Sequence, residues 1–218
     1  SWRPRRGSRF LVIDRSDGSL AAEIEGPSFF YFHKVNAVEE ADGELAIDVV
    51  TFEDASVLDA LTLDDLAAGE FSHPMGDLDR FTISIAEGTV SREKLQEGHL
   101  SLPRINETYV GQPYKYVYSQ GASGEDRTEF PTALRKIDVE NGDGDIWSTP
   151  NRYFGEPIFV PRPDGSAEDD GVVLSVVLDT DRKQSGLIVL DGKTFEKDAI
   201  AWLPHVEPFD FHGQYFRL

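Results

Sequence analysis

Five histidines and no cysteine set the limits of this chain's chemistry. A transition metal would have to be held by imidazole and carboxylate. No thiolate zinc site, cysteine nucleophile or disulfide framework is available. His33, His73, His99, His205 and His212 show no H-x-x-x-H or other close ligand spacing, so any metal set must be assembled by the fold. Taken singly, a histidine reads as packing or surface. His73, in Ser72-His73-Pro74, has a turn context; His99, after Glu97-Gly98, precedes a strand; His205, in Leu203-Pro204-His205-Val206, reads as loop or packing. The adjacent carboxylates Glu39-Glu40 and Asp169-Asp170 imitate an acid/base pair. Neighbours on a strand point to opposite faces, which splits each pair between core edge and solvent.

Three stretches are more specialised. Phe29-Phe30-Tyr31-Phe32-His33-Lys34-Val35-Asn36-Ala37-Val38-Glu39-Glu40 sets His33 in an aromatic run expected to be buried. Arg152 to Pro163 holds the carboxylate of Glu156 between Gly155 and Pro157 in an apolar frame. Pro208-Phe209-Asp210-Phe211-His212-Gly213 places His212 after aromatics, with a glycine that lets a neighbour approach closely.

The elements that must position these residues read as strands. Phe10–Ile13, Leu45–Val50, Arg80–Ile85, Tyr114–Tyr118, Leu134–Val139, Ile146-Trp147, Gly171–Leu178 and Leu187–Leu190 are short β-rich runs, most of them bounded by Asp/Gly turns. Phe10 to Gly18 and Leu187 to Gly192 share a pattern of apolar strand, aspartate and glycine turn, with Leu134 to Gly142 as a looser third. Such a repeat fits propeller blades better than one sandwich. One segment, Asp54 to Ala68, has the spacing of a short amphipathic helix inserted in a connection. Gly121-Ala122-Ser123-Gly124 and Asp164 to Gly171 read as surface loops rather than domain boundaries, because strands resume on either side.

Composition bounds the function classes. The 218 residues, 39% hydrophobic and 11% aromatic, suffice for a buried core. Forty Asp+Glu against 21 Lys+Arg give a net charge of -19, which repels phosphate backbones and excludes nucleic acid as the expected partner. A globular chain this acidic suits high salt, and a halophilic origin is expected. There is no apolar run of membrane-spanning length and no signal-peptide pattern at the start. Ser1 at the start and a single methionine, Met75, fit a piece of a longer chain.

Together, five ordered segments resemble the carotenoid cleavage oxygenase family. Phe32-His33-x-x-Asn36-Ala37-x-Glu39 is similar to its F-H-x-x-N-A-x-E segment, and Leu102-Pro103-Arg104-Ile105-Asn106, continued by Gly111 to Tyr118, to its F-P-R/Q-I-N/D segment. Gly155 to Pro161, Glu168-Asp169-Asp170-Gly171 and Phe211-His212-Gly213 resemble three further segments in the same order. The resemblance implies an all-β fold: residues 1–218 as a single partial unit, the C-terminal blades of a seven-bladed β-propeller, with one short helical insert. It implies a non-haem Fe(II) on the propeller axis, held by four histidines that second-shell glutamates orient. Of these groups, His33 and His212 carry over as two ligands and Glu156 as the glutamate. The other two ligands lie upstream in the family, and His73 and His99 match neither. Where the family carries a glutamate before Leu102, this chain has Ser101, which cannot supply a charge-assisted bond.

The function so implied is oxidative cleavage of a C=C bond in a carotenoid or apocarotenoid to aldehydes or ketones. An apolar polyene and O2 are the reactants, the location is cytoplasmic, and contact with a membrane would be peripheral. Two of the four ligands make this chain alone an inactive one, in need of its missing N-terminal half or prone to self-association. At 40 to 45 residues per WD40-type blade, the length corresponds to about four or five blades. Ala37, Val38, Ile158 and Phe159 are expected as apolar surface near the uncovered face. The alternatives are a stilbene- or phenylpropenoid-cleaving dioxygenase of the same family and a non-catalytic propeller module that binds a partner. A glycosidase propeller ranks last, since no paired-carboxylate motif stands out.

Overall fold

The structure, a computed structural model, describes residues 2–40, 42–68, 75–124, 130–209 and 211–217. Its strands are antiparallel and nearly all follow one another in chain order. β1 (Ser8–Ile13) and β2 (Leu20–Gly26) form a hairpin. β3 (Phe30–Glu39), β4 (Glu44–Phe52), β5 (Gly76–Ser84), β6 (Thr89–Arg104), β7 (Tyr116–Gly121), β8 (Ala133–Asp138) and β9 (Gly144–Ser148) form one sheet of seven. The 16-residue β6 serves two meanders: it pairs β5 from Thr89 to Leu100 and β7 from Ser101 to Arg104. A further sheet has β10 (Arg152–Phe154) and β11 (Ile158–Pro161) both on β12 (Gly171–Asp179), followed by β13 (Gln184–Asp191) and β14 (Lys197–Trp202). The described residues therefore make two four-stranded meanders that share β6, one five-stranded sheet and one hairpin. The long β6 and the connection between β4 and β5 consume the chain that four or five blades would need.

The repeated strand–aspartate unit is one hairpin turn used three times. The N–H groups of Ser16, Glu140 and Lys193 donate to the carboxylates of Asp14, Asp138 and Asp191, each two residues back. In each turn the residue four after the aspartate returns a backbone bond to its carbonyl: Gly18, Gly142 and Phe195. All three have positive φ, at 74°, 74° and 57°. Glycine takes that conformation freely, whereas Phe195 is held in it by burial. The glycine of the third turn, Gly192, is not the equivalent position.

The helical insert differs from expectation. It is a 3-10 turn, Ala55–Leu58, followed by a six-residue helix α1 (Leu63–Ala68). Asp54 caps the start of the first by accepting from the Ser56 N–H, and residues 59–62 between the two are not helical. His99 also differs: it lies within β6 rather than ahead of a strand. His73 lies outside the described residues. Glu39 and Glu40 are both exposed rather than split across the strand.

Two cores lie between the meanders. One gathers Val38, Val50, Leu78, Leu100 and Val117; the other gathers Tyr118, Phe154, Phe159, Val173 and Ile188. This corrects the expected apolar surface. Val38 and Phe159 are buried, and Phe159 stacks on Tyr118 at 5.1 Å; Ala37 is exposed and Ile158 half-buried. The alternation of β3 and β11 turns Val38 and Phe159 inward and leaves their neighbours outside.

Candidate metal centre

His33 and His212, 179 positions apart, meet through their Nε2 atoms at 3.3 Å. The rings cross at 71° with centroids 5.1 Å apart. His33 sits on β3, where the pairing with β4 slips twice, between Tyr31 and His33 and between Lys34 and Asn36. Bulges of this kind re-aim the side chain between them. The expected burial of the aromatic run holds only at Phe29; Tyr31 and Phe32 are exposed. His212 lies beyond β14 in a segment without helix or strand, so no sheet ladder fixes it.

Glu156 does fix it. The carboxylate is buried at the turn between β10 and β11, with only 6% of the residue exposed. Its Oε1 lies 3.0 Å from His212 Nδ1, and its Oε2 accepts the Gly213 N–H at 2.9 Å. A carboxylate on Nδ1 keeps the proton there and leaves the Nε2 lone pair free. Burial pulls His33 below the usual imidazole pKa, and neighbouring His212 lowers it further against the opposing pull of Glu156. Its neutral, ligating form is thereby favoured near pH 7.

The arrangement fits a shared transition-metal ion. Two nitrogens each about 2.1 Å from one ion, at right angles, are about 3 Å apart, close to the observed spacing. Neutral imidazoles are the donors such an ion takes. Among the described residues no group of three or more His, Asp or Glu side chains is placed to hold a metal. His205 lies outside it, exposed and paired with Glu207 at 3.0 Å. Ser101 pairs Gln120 in the β6–β7 ladder.

Residues that sequence reasoning quoted without assigning a role tie the loops between the strands together. Asn36 is buried and spends both ends of its amide on one loop: Nδ2 donates to the Tyr109 and Gln112 carbonyls, and Oδ1 accepts the Gly111 N–H. Asn106 donates to the Glu168 carbonyl at 2.8 Å, and the Glu168 carboxylate accepts the N–H groups of Lys115 and Tyr116. Asp169 pairs with buried Lys136 at 2.8 Å. The signal that could have found them was the polarity of isolated Asn and Glu residues inside otherwise apolar segments.

An antiparallel all-β chain of stacked meanders, with two imidazoles facing each other and a buried carboxylate behind one of them, has the architecture of the propeller class with a candidate metal site. A family model described as retinal pigment epithelial membrane protein matches residues 1–217. The chain belongs to that family, the carotenoid cleavage oxygenases. It is 34% identical to carotenoid cleavage dioxygenase 8, chloroplastic, of Arabidopsis thaliana, over 97% of this chain and 39% of that protein. It is also 34% identical to the apocarotenoid-15,15'-oxygenase of Synechocystis, over 98% of this chain and 44% of that one. The structure of cobalt-substituted Synechocystis apocarotenoid oxygenase, a seven-bladed propeller, superposes with a TM-score of 0.86 at 31% identity, covering 99% of this chain and 45% of that one. The chain thus spans less than half the length of these relatives, and metal is part of the family's chemistry.

Proposed function

We propose that residues 1–218 are the C-terminal blades of a non-haem Fe(II) dioxygenase that cleaves a C=C bond of a carotenoid or apocarotenoid. His33 and His212 supply two imidazoles of the iron site, and Glu156 holds the proton on His212 Nδ1. The observation that carries this reading is the facing pair of Nε2 atoms with a buried carboxylate behind one of them. When bound, the iron supplies the one-electron chemistry that O2 needs to react with a closed-shell polyene. Each turnover consumes one O2 and one C=C bond and leaves a carbonyl on each fragment.

The chain's own residues bind and orient. Burial favours the neutral form of His33, and Glu156 holds the His212 ring by its Nδ1, so each Nε2 is turned toward the other. No helix of the described residues is long and apolar enough to cross a membrane. An apolar substrate would then be taken up by an enzyme of the cytoplasm in contact with a membrane at its periphery. The net charge of -19 suits a halophilic setting.

The test uses the full-length protein loaded anaerobically with Fe(II). Stoichiometric iron and O2-dependent cleavage of a carotenoid or apocarotenal are expected, with His33→Ala and His212→Ala each losing both. Cleavage of a stilbene alone would reassign the substrate. Absence of iron from the full-length wild type would favour a binding module.

A further inference from the structure

The segment that carries His212 has no strand of its own, yet the candidate site requires that imidazole to keep a fixed place. Glu156 restrains it from one side. A second restraint lies on the residue after Gly213. Gln214 Oε1 accepts from Arg104 Nη2 at 2.6 Å, and Gln214 Nε2 donates to both oxygens of Glu107 at 3.0 Å. Arg104 Nη2 also donates to Glu107 Oε1 at 2.9 Å, so each of the three side chains holds the other two. Arg104 Nη1 stands 3.7 Å from Glu156 Oε1, which brings the same guanidinium to the carboxylate behind His212.

The base of this triangle is tied to the other imidazole as well. Arg104 ends β6, and Glu107 opens the 3-10 turn Glu107–Tyr109. The chain from that turn to Gln112 is the loop that Asn36 grips, and Asn36 is three residues from His33 on β3. One short stretch, residues 104–112, is therefore bonded to the strand that carries His33 and to the tail that carries His212.

We propose that Arg104, Glu107 and Gln214 are positioning residues whose task is to set the distance and angle between His33 and His212. The inference rests on the reading of His212 as a metal ligand. Magnitude supports a local task over a global one. Glu107 is 55% exposed in its side chain, and exposed ion pairs contribute little to folding stability. The same bonds, made by a tail without a ladder, decide where His212 spends its time.

The test compares full-length wild type with Gln214→Ala, Glu107→Ala and the exchange Glu107→Gln with Gln214→Glu. The exchange keeps one amide and one carboxylate in the triangle. Co(II) affinity is read from its d–d absorption, and the His212 Nδ1–H bond from nitrogen-15 NMR of the metal-free protein. Both single variants should weaken Co(II) binding by about tenfold, the low end for groups that orient a ligand. They should broaden or lose the protected Nδ1–H signal while the metal-free melting temperature stays put, and the exchange should restore all of these. Unchanged affinity in the single variants, with a loss in His212→Ala, overturns the inference and leaves the site intact. Losses that the exchange does not repair overturn it too, by assigning them to local damage. Unchanged affinity in His212→Ala removes the site reading and this inference with it.

Discussion

At the residue scale the site turns on one carboxylate. Glu156 offers two acceptor oxygens and both are used, one by an imidazole and one by a backbone N–H. Glu156→Gln keeps the shape but replaces one acceptor with an NH2 group, which cannot accept from both His212 and Gly213. It also removes the charge that favours a proton on Nδ1. In the full-length protein this change should lower metal affinity by about 10 to 100-fold, measured as iron retained after anaerobic dialysis. Full retention at an unchanged turnover rate would count against the role given to Glu156. Gly213 contributes by its lack of a side chain: a Cβ there would sit 3.1 Å from Ile158 Cδ1. The half-buried Ile158 is thus part of the seat for the tail.

At the element scale the strands that carry the site are locked by buried charges and close approaches. Asp48 on β4 is 2% exposed, receives two bonds from Arg80 on β5 at 2.8 and 2.7 Å, and accepts the hydroxyl of Tyr114. Burial, and then the charge of Asp48, push the Tyr114 phenol far above its usual range, so it stays a donor. Asp48→Ala strands a half-buried guanidinium and should cost about 3 to 5 kcal/mol in chemical denaturation. Tyr114→Phe, which removes only the hydroxyl, should cost about 1 kcal/mol or a little more. Equal costs for the two would show that the charge pair contributes nothing beyond the hydroxyl bond. On the last sheet, Gly171 leaves no space for a side chain, since a Cβ would come within 2.7 Å of Phe159 Cζ and closer still to the Val160 carbonyl. Gly171→Ala should lower stability by about 1 to 3 kcal/mol, with a changed near-ultraviolet spectrum as Phe159 shifts on Tyr118. An unaltered spectrum and melting curve would mean that β11 yields freely.

At the scale of the whole molecule, charge and exposed apolar surface dominate. With a net charge of -19 the folded chain repels itself, and screening relieves this as the Debye length falls from about 10 Å at 0.1 M salt to 3 Å at 1 M. The melting temperature should therefore rise between 0.1 and 2 M KCl; a flat or falling curve would mean that the acidic groups are already compensated by their neighbours. The hairpin β1–β2 presents Leu11, Ile13 and Leu20 at 50 to 56% exposure, an apolar face wider than a lone hairpin sustains. Residues 1–218 expressed alone should associate, seen as concentration-dependent light scattering, and should not cleave an apocarotenal with Fe(II) and O2. Iron-dependent cleavage by the isolated chain would show that two histidines suffice.

Much was legible in the sequence because it depends on local chemistry. Strand after strand could be read from β-branched runs bounded by Asp/Gly turns, since a turn needs its own carboxylate and its own positive φ. His33, Glu156 and His212 could be singled out as polar groups in apolar frames, and the family resemblance supplied their roles as expectations. The sequence could not say that β6 runs through two meanders, that Val38 and Phe159 face inward, or that the insert breaks into a turn and a short helix. Pairing partners and inward faces are chosen by contacts between distant segments, and a local N-cap can set off a separate short turn inside a stretch of helical spacing. The tertiary structure alone brought Arg104 and Glu107 against Gln214, 110 and 107 positions away, and Asn36 onto the loop beside them. These contacts join a strand end, a turn and a tail, so their geometry exists only once the meanders have packed.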